Sequence, residues 1–214
     1  MVTFSFDDSG ASQPNIALPL LQRYGVKGTF FVVPQWHTWV TTARSMLADG
    51  HEFAGHGMTH RSMTTLTTQE LDDELRLARQ WIETNIGGKV DSFASPSVAY
   101  NATVIAAVKR YYGNHRGGDT DLNFVGTDVY VLKSDFIYNT STTASICARV
   151  REAARQKGWL LLTFHDFTLD ASSTQGFTCP ASIFEGILAC AKSTAGIDVV
   201  TARQGTSAIR CGSP

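Results

Sequence analysis

Apolar positions along this chain follow two periods, and the periods trade places at short intervals. Residues 2–6, Val-Thr-Phe-Ser-Phe, alternate and are rich in β-branched and aromatic types, which predicts a strand. Residues 28–33 form a continuous apolar run ended by Pro34, the pattern of a strand buried on both faces. Further strands are expected at 51–55, 90–94, 129–132 and 197–200, and the plainest at 159–164, Trp-Leu-Leu-Leu-Thr-Phe. Between them the spacing turns helical. Residues 14–24 carry Ile16, Leu20 and Leu21, with Pro14 suited to a first turn and Gly25 to a stop. A short helix is expected over 40–48. The longest starts at Thr67 or Thr68 and runs to about 86, with Leu71, Leu75, Ala78 and Ile82 as its apolar stripe. Thr67 and Glu70 have the spacing of a capping box. Helices are also expected over 101–111, behind an Asn101 cap, over 141–157, and over 180–193. The glycine- and charge-rich stretch 113–123 reads as a strand end plus loop.

Strands that alternate with helices throughout imply parallel βαβ units in one α/β domain spanning 1–214. In barrels and open sheets of this kind, chemistry gathers at the carboxyl ends of the strands. Three groups of polar residues occupy such ends: Asp7 and Asp8 after the first strand, His56 and His60 after the third, and His165 with Asp166 after the run from Trp159. Neighbouring strand residues face opposite ways, so two functional carboxylates side by side require the strand to break there, as Ser9-Gly10 allows. Residues four apart on a helical turn share a face, so His56 and His60 can reach one ion. Two imidazoles and a carboxylate suit zinc, iron, cobalt or nickel and leave positions open for water and substrate. Trp36 and Trp39 follow the second strand; they can form a stacking wall for a sugar ring or pack against the barrel rim. His37, His51 and His115 have no comparable setting and are read as structural or surface residues.

Composition narrows the field. The net charge of −1 gives no support to a nucleic-acid or membrane-surface binder, and no apolar run is long enough to span a bilayer. No signal peptide is visible, as expected of a chain trimmed of its leader. Four cysteines, Cys147, Cys179, Cys190 and Cys211, contain no C-x-x-C pair, which argues against a zinc knuckle. Their even number fits two disulfides and an oxidising compartment; four buried thiols are the alternative.

Taken together these residues resemble the polysaccharide deacetylases, carbohydrate esterase family 4. Thr3-Phe4-Ser5-Phe6-Asp7-Asp8-Ser9-Gly10 is similar to the first motif of that family, Thr-Phe-Asp-Asp-Gly, with Ser9 as an extra residue. His56-Gly57-Met58-Thr59-His60 resembles the second, His-Ser/Thr-x-x-His, with Gly57 where Ser or Thr is usual. Residues 93–101 resemble the third, Arg-x-Pro-Tyr, but with Ala94 and Ser97 in place of Arg and Tyr; the run into Phe164-His165-Asp166 resembles the fifth.

The resemblance implies a distorted (β/α)7-type barrel. It implies Asp8, His56 and His60 as ligands of a divalent metal, usually Zn2+, with Asp7 as general base and His165 as general acid. Arg116 is expected to orient the base in place of the missing motif arginine. Ser97 is expected near the acyl oxygen. Thr163 stands where a leucine lines the acetyl-methyl pocket, and Asp119, Asp121 and Asp128 are candidate partners of His165. The implied substrate is an N- or O-acetylated polysaccharide or oligosaccharide, handled by a secreted or cell-surface monomer. The competing expectations are a same-fold hydrolase of a small cyclic amide and a carbohydrate-binding relative without catalysis.

Overall fold

A computed structural model describes residues 1–172 and 175–212. Seven strands form one sheet: β1 (Val2–Phe6), β2 (Thr29–Val32), β3 (Glu52–Gly55), β4 (Ser92–Ala94), β5 (Asn114–Arg116), β6 (Asp135–Phe136) and β7 (Leu160–Phe164). Their order is β5-β4-β3-β2-β1-β7-β6, and every pairing is parallel. The sheet curls, and residues 129–134 run alongside β5 before entering β6. His115 N donates to Val129 O, and Leu132 pairs with Arg116, so this segment spans the space between the two edge strands. A separate parallel pair, β8 (Asp166–Thr168) and β9 (Thr178–Pro180), follows β7.

The helices are α1 (Leu18–Tyr24), α2 (Val40–Ala48), α3 (Thr68–Asn85), α4 (Ala102–Val108), α5 (Thr143–Gln156), α6 (Ala181–Ser193) and α7 (Ala202–Cys211). Their starts follow from side-chain chemistry. Thr67 and Glu70 make the expected capping box on α3, Asn101 caps α4, and Thr142 caps α5. The chain before α1 winds as a π-helical turn over Gln13–Ala17.

Strand alternation separates two cores. Phe4, Phe6, Phe30 and Phe164 face the outer helices; Phe6 and Phe30 stack with centres 4.6 Å apart, and Phe184 of α6 meets Phe164 edge-on. Phe31, Ala54, Ala94, Trp159 and Leu161 make a second cluster that α7 joins through Ala202 and Ile209. Gly205 lets α7 lie on the indole of Trp159, which would collide with any Cβ there.

Three expectations are corrected. Residues 129–132 form a turn with a single bridge, and the strand at that place is β6, three residues later. Residues 197–200 give only a bridge between Val199 and Val2. The cysteines form one disulfide, Cys147–Cys190, joining α5 to α6; Cys179 is a buried free thiol and Cys211 an exposed one. No helix among the described residues is long and apolar enough to cross a membrane.

Candidate metal centre and active site

The strand tips of β1, β3, β5 and β7 open into one cleft of about 570 Å3. Thr3, Ser5 and Asp7 share one face of β1 by the two-residue period. The Ser5 hydroxyl reaches Thr163 on β7, which places this face in the barrel interior. Asp7 therefore points inward and is only 2% exposed. Asp8 would turn away, but its backbone is left-handed (φ 72°), as is that of Ser9 (φ 59°), and this folds the second carboxylate back over the mouth. Ser9 holds the break in place: its hydroxyl accepts from Val33 N at 3.0 Å, and its carbonyl accepts from Trp39 Nε1 at 3.0 Å. The buried Gln13 side chain ties the β1 tip to the β7 tip, donating to the carbonyls of Asp7 and His165.

Asp8, His56 and His60 converge, with one ligand atom from each lying within 4.8 Å of the others. Asp8 Oδ1 stands 3.4 Å from His56 Nε2 and 3.2 Å from His60 Nε2. Donors about 2.0–2.1 Å from a tetrahedral zinc stand about 3.3–3.4 Å apart, so these separations fit such an ion. The protonation pattern fits as well. His56 Nδ1 lies 2.8 Å from Ala94 O, which fixes the proton there and leaves Nε2 bare toward Asp8. Asp8 Oδ1 is buried without a hydrogen-bond partner. Burial pushes the Asp8 carboxyl upward, but the two imidazoles and, farther off, His165 outweigh it and hold the group well below the usual carboxylate range.

Arg116 reaches across the barrel from β5. Its Nη2 donates to Asp7 Oδ2 at 2.5 Å, its Nη1 donates to Thr163 Oγ1 at 3.1 Å, and its guanidinium lies 4.9 Å from the Phe31 ring centre. Asp7 Oδ1 remains unpartnered. Thr163 is fully buried and spends its hydroxyl on Arg116 and Ser5, so it does not wall the cleft as the motif comparison implies. Val98, Phe136, Tyr138 and Phe177 make the apolar wall instead. Sequence patterning gives no sign of these four, because Phe136 sits in a two-residue strand and the others lie outside the strands and α-helices.

His165 lies on this wall, 4.6 Å from Phe177 ring to ring, and its Nδ1 has no partner. Burial lowers its pKa below the ordinary value, opposed by Asp7 and Asp8 and assisted by Arg116 and His56. None of its three candidate partners is hydrogen-bonded to it among the described residues. Asp121 pairs with Lys133 at 2.7 Å, Asp128 accepts from Tyr130 N, and Asp119 lines the cleft rim.

Ser97 lines the cleft in a left-handed conformation (φ 52°). Trp36 is 44% exposed, with its indole centred 4.7 Å from His60 at the rim. Trp39 does not join it. Its ring is buried against Phe30, Phe53 and His37, so the expected two-tryptophan wall is reduced to Trp36. His37, His51 and His115 are buried scaffold residues, as expected.

Residues 1–113, more than half of the chain, match the polysaccharide deacetylase family model. The chain belongs to the polysaccharide deacetylase family. It is 38% identical over 89 residues to the uncharacterized protein YlxY of Bacillus subtilis, covering 41% of this chain. It is 24% identical over 189 residues, 87% of the chain, to a bifunctional xylanase/deacetylase of Pseudobutyrivibrio xylanivorans. The matched regions make up 28% of the length of each of these two relatives. The family 4 acetyl xylan esterase of Clostridium thermocellum, solved with a cobalt ion, superposes with a TM-score of 0.69 at 22% identity, over 96% of this chain and 90% of that one. The chain thus has the (β/α)7-type barrel fold of its structural neighbours.

Proposed function

We propose that the chain is a zinc-dependent hydrolase that removes acetyl groups from an N- or O-acetylated polysaccharide outside the cytoplasm. The observation that carries this reading is the pairing of two sites at one strand tip. Asp8, His56 and His60 each bring one ligand atom within 4.8 Å of the others, and Asp7 beside them is clamped by Arg116. A divalent cation held by Asp8, His56 and His60 would supply an acidified water and polarise the acyl oxygen. Asp7 takes the proton of the attacking water on Oδ1, while Arg116 keeps Oδ2 occupied and the carboxylate ionised and aimed. His165, across the cleft, returns a proton to the leaving nitrogen or oxygen. Ser97 steadies the acyl oxygen, and Trp36 at the rim offers a face to a sugar ring. The disulfide between α5 and α6 suits an oxidising compartment.

The test is acetate release from chitin oligomers, peptidoglycan, poly-N-acetylglucosamine and acetylated xylan, with and without a chelator. Release that stops with chelator and returns with zinc supports the reading. Zinc binding without turnover on any of the four points to a carbohydrate-binding relative. Turnover confined to small cyclic amides moves the substrate to that class.

A further inference from the structure

The loop that carries both histidines is awkward to hold. Gly57 has φ 76° and His60 φ 63°, so its backbone enters the left-handed region twice in four residues. The Ser or Thr expected after the first histidine is absent, and no side chain at position 57 can brace the turn. A brace arrives from elsewhere. Glu74, on α3 and 5% exposed, turns its carboxylate into the loop. Glu74 Oε2 accepts from Met58 N at 2.7 Å and from Thr59 N at 2.9 Å, and the Thr59 hydroxyl donates to Oε1. The Met58 carbonyl is held on the opposite side by Gln35 N at 3.2 Å. A Cβ at position 57 would stand 3.0 Å from Glu74 Oε2 and 2.9 Å from Met63 Cε, so glycine there is what admits the carboxylate. Among the described residues no lysine or arginine pairs with Glu74; loop donors alone satisfy it.

We propose that Glu74 is the positioning residue of the metal centre, fixing the backbone between His56 and His60 so that both Nε2 atoms meet Asp8. The inference rests on the reading of Asp8, His56 and His60 as metal ligands. Without Glu74, two partly buried N–H groups lose their acceptor and the left-handed turn loses its brace. Groups that orient metal ligands from behind typically change affinity by about 10–100-fold when removed.

The test is zinc titration by calorimetry on the full chain, beside thermal melting of the zinc-free protein. Wild type is expected to bind one zinc. Glu74→Ala is expected to bind it at least about 10-fold more weakly. Glu74→Gln, which keeps an oxygen for the N–H groups and can donate to the Thr59 hydroxyl, is expected to recover most of that loss. If Glu74→Ala fails to fold, Thr59→Val removes one of the three hydrogen bonds and is expected to weaken zinc measurably. Wild-type zinc affinity in Glu74→Ala, or in Thr59→Val where the former does not fold, overturns the inference even if the melting temperature drops. A wild-type protein that binds no zinc overturns the metal reading itself and this inference with it.

Discussion

The two halves of the barrel mouth are built in different ways. On the side of β1 to β3, Asp7, Asp8, His56 and His60 come from two short contiguous stretches, and left-handed residues at Asp8 and His60 aim them. On the side of β5 to β7, Arg116, Phe136, Tyr138, His165 and Phe177 come from five scattered positions, most of them in irregular chain. The first half is polar, with unpartnered carboxylate oxygens on Asp7 and Asp8; the second, Arg116 apart, is an apolar wall with one imidazole in it. The family model covers the first half and stops at 113. The contrast teaches that the Asp-His side is a local device, whereas the opposite side is assembled over long range.

The largest expected effects break the first half. Asp7→Asn is expected to cut turnover by about 10²–10⁴-fold while zinc stays bound, because it removes the base and spares the ligands. His56→Ala is expected to abolish turnover and zinc binding together. Metal content measured beside acetate release separates the two. Arg116→Ala crosses the halves. It leaves a buried carboxylate unpaired, so a loss of about 3–5 kcal/mol in unfolding free energy is expected with a large fall in kcat. Arg116→Lys should not restore turnover, since an ammonium cannot bond Asp7 and Thr163 through one rigid fork. Denaturant titration and steady-state kinetics check both.

Smaller effects sharpen the comparison from the second half. Tyr138→Ala and Phe177→Ala, both exposed at the cleft wall, are expected to raise KM for a polymer several-fold and leave zinc affinity unchanged. A last contrast lies among the histidines. Burial lowers the pKa of His37, His51 and His115 to about 4, whereas an unfolded chain keeps them near 6.5. Between those values the unfolded state binds more protons, so these groups stabilise the fold above pH 6.5 and that contribution fades as pH falls toward 4. The melting temperature is expected to drop over this window. Replacing His51 with a residue that does not titrate there should flatten the slope.

What the sequence revealed follows the same division. The βαβ alternation, α2, the α3 capping box and both metal-side motifs are local patterns and were legible. Helix α7 was not, because Gly205 interrupts it and its apolar content is low; only contact with Trp159 explains that glycine. Strand β6 is two residues long and polar at Asp135, whereas the neighbouring turn over 129–132 is apolar enough to pass for a strand. Trp39 looked like Trp36 in sequence; the carbonyl of Ser9, thirty positions away, draws its indole inside. Arg116 is legible beside Asp7 only through the arginine that Ala94 displaces from the third motif.

The central claim is that Asp8, His56 and His60 hold one divalent cation beside a clamped Asp7. Anomalous diffraction at the zinc edge, from crystals grown with zinc, tests it directly. The account predicts a single strong peak bonded to Nε2 of both histidines and to an Asp8 oxygen, with Arg116 still on Asp7. No peak at that position, or a peak on other ligands, would contradict it.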